Sequence, residues 1–146
     1  MKVSYESGKY TYNGSQTAVI IAEGGTFNLE SGTIDASGFE SGKKDATGVY
    51  AVGNYSTGAT GGKATTVNIN GGYILAREYG VGVRGLGAVA NIQGGVIETE
   101  DNAAVAGNGT VNDTQNNGGT IINITGGTLI GNITTEGYIA CGVYHP

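Results

Sequence analysis

The chain has 146 residues, enough for one domain with its own core, and only 13% of them are charged, which argues against a charge-driven disordered tail. A net charge of −5, with seven Lys and Arg scattered along the sequence, supplies no basic stripe for phosphate and argues against nucleic acid and anionic membrane surfaces as partners. Gly contributes 29 residues beside a single Pro and without a collagen-like triplet, a composition of many tight turns and little linker.

The first residues, "MKVSYESGKY", turn polar after the third position and hold no apolar signal core. Residues 1–16 read as one or two strands carrying Tyr5, Tyr10 and Tyr12, placed as a cap over the first coil. No run of about 18 apolar residues occurs, so no membrane-inserting helix is expected.

From residue 17 onward one phrase recurs: "FNLESGTI" at 27–34, "VNINGGYI" at 67–74, "ANIQGGVI" at 90–97 and "INITGGTL" at 122–129. Its Asn falls at 28, 68, 91 and 123, so the spacings are 40, 23 and 32. The shortest spacing holds almost no loop and is the bare repeat. Between the copies run second apolar phrases: "AVIIA", "GVYAV", "GVGV", "NAAVA" and "YIACGV". Gly- and Asn-rich loops at 36–48, 53–64 and 107–119 absorb the variable length. Apolar residues never recur at helical spacing, and Gly and β-branched residues dominate, which disfavours helix.

On a strand, Val67 and Ile69 share one face while Asn68 and Asn70 take the other. Phe27/Leu29, Ala90/Ile92 and Ile122/Ile124 obey the same alternation, and Ile34, Ile74, Ile97 and Leu129 return inside after the turn. The second phrases add the inward pairs Val19/Ile21, Val49/Ala51, Val81/Val83, Ala103/Val105 and Ile139/Cys141. Three short strand faces then enclose one apolar lumen per turn. One copy cannot bury that face alone, whereas stacked copies can. The expected fold is all-β: a single-stranded parallel β-helix over residues 17–146, with three short strands per coil and about five coils. Gly71–Gly72 and Gly94–Gly95 supply sharp bends. Asn28, Asn68, Asn91 and Asn123 are expected to stack in register, either as a structural amide ladder or as a row of amides facing a ligand.

These phrases, "NINGGYI", "NIQGGVI" and "NITGGTL" above all, resemble the repeats of right-handed parallel β-helix proteins of pectin-lyase-like fold. They are similar to the Gly-, Thr- and Asn-rich adhesin-like surface proteins of bacteria. The resemblance implies an extracellular or cell-surface bacterial protein. It assigns no active-site residue, because adhesins, polysaccharide lyases and tailspikes share the architecture.

The candidate chemistry is sparse. Glycoside hydrolysis needs two carboxyl groups across a groove, and the available acids after the repeat phrase are Asp35, Glu98, Glu100 and Asp101. Laddering the copies puts Asp35, Leu75, Glu98 and Ile130 in one column, Arg77 over Glu100 and Glu78 over Asp101, so a surface ion pair is the competing reading. His145 is the only histidine and Cys141 the only cysteine, which removes His-based metal sites, catalytic triads and disulfides; Cys141 reads as a small buried residue. No cofactor or metal is expected. Nine Tyr and no Trp make Tyr the aromatic of interest. Tyr50, Tyr55, Tyr73 and Tyr79 fall at outward or loop positions, where rings beside Asn and Thr serve as sugar-binding platforms or pack beneath neighbouring loops.

The sequence therefore predicts a non-enzymatic module of a longer surface protein, presenting loops to a glycan or host-surface protein. A polysaccharide-active enzyme fragment or a pure spacer is the alternative. The last phrase ends without a polar cap, so end-to-end self-association is also expected.

Overall fold

The computed structural model describes residues 11–12, 15–22, 24–38, 46–54, 64–108, 119–134 and 140–145. Among these residues all regular structure is β. A short antiparallel strand β1 (Thr11–Tyr12) precedes three strands per turn: β2 (Ser15–Ala22), β3 (Thr26–Leu29) and β4 (Thr33–Ala36) form the first coil. The second coil is β5 (Thr47–Val52), β6 (Thr65–Ile69) and β7 (Tyr73–Ala76). The third is β8 (Tyr79–Arg84), β9 (Ala88–Ile92) and β10 (Val96–Thr99), and the fourth is β11 (Ala103–Asn108), β12 (Ile121–Ile124) and β13 (Thr128–Gly131). A last strand, β14 (Cys141–Tyr144), opens a fifth coil.

Like strands stack on like. Sheet I runs β1-β2-β5-β8-β11-β14, sheet II runs β3-β6-β9-β12 and sheet III runs β4-β7-β10-β13. Every strand pairing beyond β1 is parallel, and one isolated antiparallel bridge joins Asn54 to Leu86. This is a parallel β-helix with three strands per coil. The strand at Ser15 begins two residues earlier than the repeat pattern suggested, and β1 pairs with it through Thr11↔Gln16 and Tyr12↔Ser15. Residues 1–10 of the expected cap, and Ile139, lie outside the described residues.

The alternation in the repeat phrase sets the core. Val67 and Ile69 of β6 are buried and Asn68 faces outward; Ala90 and Ile92 of β9 repeat the pattern one coil later. Ile74 and Ile97 come after the bend and are in register. Val49/Ala51 and Val81/Val83 close the lumen from sheet I. Each fully buried Ile or Val contributes roughly 1.5–3 kcal/mol relative to exposure. Burial is incomplete at both ends of the stack: Val19 and Phe27 of the first coil are partly buried, as are Ile122 and Leu129 of the fourth. Ile124 holds the inward column of Ile92, yet it is 44% exposed where Ile92 is 0% exposed. Cys141 is likewise half-buried, not buried as its composition suggested, because it lies in the terminal strand.

The two glycines of the bend have separate jobs. The second needs a left-handed backbone: φ is +79° at Gly72, +77° at Gly95 and +92° at Gly127. The first needs the absence of a side chain, since a Cβ on Gly71, Gly94 or Gly126 would run into the carbonyl oxygen of Glu30, Asn70 or Gln93 in the preceding coil. That closeness comes from a repeated corner. The N–H groups of Asn70 and Gly71 both donate to the Leu29 carbonyl (2.9 and 3.1 Å), and Gln93 and Gly94 donate in the same way to Ile69 (2.8 and 3.1 Å).

Candidate functional site

The outward face of sheet III gathers most of the candidate chemistry. Its register pairs Asp35 with Leu75, Leu75 with Glu98 and Glu98 with Ile130, the column read from the repeats. Asp35 and Glu98 are two strand spacings apart, about 10 Å. An inverting glycosidase holds its carboxyls roughly 6.5–9.5 Å apart and a retaining one about 5 Å. Both acids are engaged locally. Asp35 Oδ1 accepts from the Ser37 N–H (3.1 Å) and hydroxyl (2.6 Å), and Glu98 Oε2 accepts from the Tyr73 hydroxyl at 2.6 Å. The hydrogen bond to Glu98 pushes the Tyr73 pKa up to about 12, helped by burial and by the negative charges of Glu98 and Asp35.

The corner beside this face is an ionic knot. Arg77 meets Glu100 at 2.6 Å and Asp101 at 3.1 Å. Glu100 is partly exposed, whereas the Asp101 side chain is 0% exposed and also accepts from the Thr134 N–H (2.6 Å) and hydroxyl (2.9 Å). The expected surface pair is thus one arm of a contact that buries its second carboxylate and ties three coils together. The corner between β10 and β11 is one residue longer than that between β7 and β8. The extra residue is Asn102, which takes a left-handed φ of +72°, accepts from the Thr99 hydroxyl through its carbonyl, and donates from Nδ2 to the Tyr79 hydroxyl at 2.9 Å.

The asparagines stand on the outward face of sheet II. Asn68 Nδ2 donates to Asn28 Oδ1 (2.7 Å), Asn91 to Asn68 (2.8 Å) and Asn123 to Asn91 (2.9 Å). Each amide therefore bonds to its neighbour along the axis. A second rung, Asn70 Nδ2 to Glu30 Oε1 at 2.8 Å, runs beside it.

The tyrosines do not assemble into one platform. Tyr50 lies on sheet I, where its ring leans over Gly82: a Cβ there would be 2.7 Å from the Tyr50 ring. Tyr73 is on sheet III, bonded to Glu98. Tyr79 is not at the outward position expected of it. It shares the column of Thr47, which is buried, and points its hydroxyl at Asn102. Tyr55, with residues 39–45, 55–63 and 109–118 of the three loops, lies outside the described residues. The Tyr73–Glu98 bond escaped sequence reading because it joins two different columns; the shared coil spacing that placed each column was the available signal.

Among the described residues no group of three or more His, Cys, Asp or Glu could hold a metal ion, and no helix is long and apolar enough to cross a membrane. The architecture and this outward face define the chain as a parallel β-helix with laddered polar faces. Comparison with protein-family models, curated proteins and solved structures returns no match.

Proposed function

We propose that the protein is a non-enzymatic presentation module, a rigid laddered rod whose loops meet a glycan or a protein on a host surface. The observation that carries this reading is the employment of the four candidate acids. Asp35 caps its own turn, Glu98 holds Tyr73, and Glu100 and Asp101 hold Arg77. Asp35 thus fixes a local turn and the other three stabilise stacking, and a proton-transfer role would require breaking those contacts. The loops leave the rod between the first and second strands of a coil or between coils, so their length varies without disturbing the ladders. The resemblance of the repeat phrase to adhesin-like, pectin-lyase-like bacterial surface proteins supports an extracellular setting.

The test is a broad array of host mucin glycans and plant polysaccharides probed with the intact chain. The expected result is specific binding without turnover, weakened by Tyr50→Ala or Tyr55→Ala. Release of reducing ends or unsaturated sugars that is lost in Glu98→Gln or Asp35→Asn would replace this reading with a polysaccharide-active enzyme. A blank array beside an equally blank panel of host proteins would leave only a spacer.

A further inference from the structure

The outward face of sheet II is set apart by its lack of charge. None of β3, β6, β9 and β12 contains a charged residue, whereas sheet I carries Arg84 and sheet III carries Asp35 and Glu98. Glu30 follows β3 and is held by the Asn70 amide. The face is open to solvent with the chain folded around it. Asn28, Asn70 and Gln93 are exposed, and Thr66, Asn68, Val89 and Asn91 are half-buried.

The ladder fixes what this face displays. Each of its bonds runs the same way, from the amide of one coil to the oxygen of the coil before it. An amide has two N–H donors and an oxygen with two lone pairs, all in one plane. Asn68 and Asn91 each commit one N–H and one lone pair to the ladder. In an in-register stack the bonded N–H lies along the axis, opposite to the C=O. The trigonal geometry of the amide then directs the second N–H and the second lone pair along the Cβ–Cγ bond, away from the sheet. Each rung therefore presents one donor and one acceptor to solvent. Rungs recur about every 4.8 Å, so the four Asn span about 14 Å. The ladder bonds also hold each amide in place, so little side-chain freedom remains to be lost on binding.

A hydroxyl group both donates and accepts, so a polyhydroxyl chain can answer both groups on every rung. The face has no cation to hold a sulfate or a uronate, and its amides would go unpaired against an apolar ligand. A protein strand aims its backbone groups within the plane of its own sheet and cannot meet the rungs from above. An extended hexopyranose chain with equatorial linkages advances by about one strand spacing per sugar, so successive sugars meet successive rungs. Thr66 adds a hydroxyl beside Asn68, and Val89 offers methyl groups to sugar C–H beside Asn91. We propose that the outward face of sheet II binds an uncharged, extended polysaccharide lying along the rod axis, with Asn68 and Asn91 as its central hydrogen-bonding pair. The site is separate from the loops of the proposed function and does not depend on them.

The experiment titrates the isotopically labelled intact chain with cellohexaose and mannohexaose, both neutral and equatorially linked, and with maltohexaose, whose axial linkages coil the chain. Shifts of the Asn68 and Asn91 side-chain amide signals and of the β6 and β9 backbone are expected with at least one of the first two. Maltohexaose should bind at least about tenfold more weakly. Thr66→Lys crowds the face and leaves the ladder whole, while Asn68→Ala combined with Asn91→Ala removes its middle. Each variant should weaken binding at least about tenfold and leave the signals of sheets I and III unchanged. Binding that survives both variants, equal affinity for maltohexaose, or no shift with any of the three sugars would overturn the proposal. Shifts confined to the loops at 53–64 and 107–119 would overturn it while favouring the loop reading. A concentration-dependent dimer in sedimentation, abolished by Thr66→Lys, would give the face to a second copy of the chain and overturn it as well.

Discussion

Tyr73 is the clearest titrating group on the outward face of sheet III. The Tyr73 hydroxyl ionises near 10 in the unfolded chain and at about 12 in the folded one, because the proton it loses is shared with Glu98. The folded state binds that proton more tightly. The associated stabilisation is complete below pH 10 and is lost as pH rises through 12. In that window the protein is expected to lose stability relative to Tyr73→Phe, and ultraviolet titration of Glu98→Ala should show one tyrosine moving back towards 10. The corner carboxylates separate just as sharply. Asp101→Ala removes a fully buried partner of Arg77 and Thr134 and should cost about 3 kcal/mol in a denaturant melt. Glu100→Ala removes a partly exposed partner and should cost under about 1 kcal/mol. Repeat spacing made the alignment of Arg77 with Glu100 legible. It could not reveal that Asp101 is buried, since that depends on Thr134 arriving from the next coil after a corner with no repeat signature. The inward place of Tyr79 was legible, since the alternation that turns Val81 and Val83 inward puts it on the same face; only its contact with the inserted Asn102 had no signal in the repeat.

At the scale of the strand, what was readable depended on the bend. Counting from the paired glycines fixes which residues of β6, β7, β9 and β10 share a column, and the observed register agrees with that count. The glycines also explain their own constancy. Gly94→Ala places a methyl group against the Asn70 carbonyl and should destabilise by about 1–3 kcal/mol, as overpacking does. Ser31→Ala, at the aligned but uncovered position, should change stability by no more than about 0.5 kcal/mol. The amide ladder gives a second contrast. Asn68 takes part in two ladder bonds and Asn28 in one, and an intramolecular hydrogen bond contributes about 0.5–1.5 kcal/mol net. Asn68→Ala is therefore expected to cost about twice as much as Asn28→Ala by thermal or denaturant unfolding. Equal costs would mean that the amides are solvated individually and that the ladder adds nothing. Hydrogen exchange should show the same gradient, with β9 amides protected longer than those of β12, whose outer edge is unpaired among the described residues.

The whole molecule is a stack, so its stability is a sum over coils and the interfaces between neighbours. A stack can lose a member if the cut falls in register. Tyr79 and Ala103 share a column of sheet I, so deletion of residues 80–103 joins Tyr79 to Ala104 at equivalent positions and removes the third coil. Asn123 would then donate to Asn68, Gly126 would sit over the Asn70 carbonyl, and Glu78 would stand beneath Thr134 where Asp101 stood. The shortened chain is expected to fold with β circular dichroism and a lower unfolding midpoint, having lost one coil and one interface. One position should object. Tyr50 leans over Gly82, and after the deletion Ala106 takes that place, so its methyl group meets the ring about where a Cβ on Gly82 would, 2.7 Å away. Ala106→Gly should therefore stabilise the shortened chain. In the full chain, where Ala106 neighbours Gly82 and Tyr144, the same change only adds backbone freedom and should cost about 0.5–1 kcal/mol. A reversal of sign between the two backgrounds, read from paired melts, is the signature of like residues stacking on like. The same sign in both would mean that the coils choose their neighbours less strictly than the ladders imply.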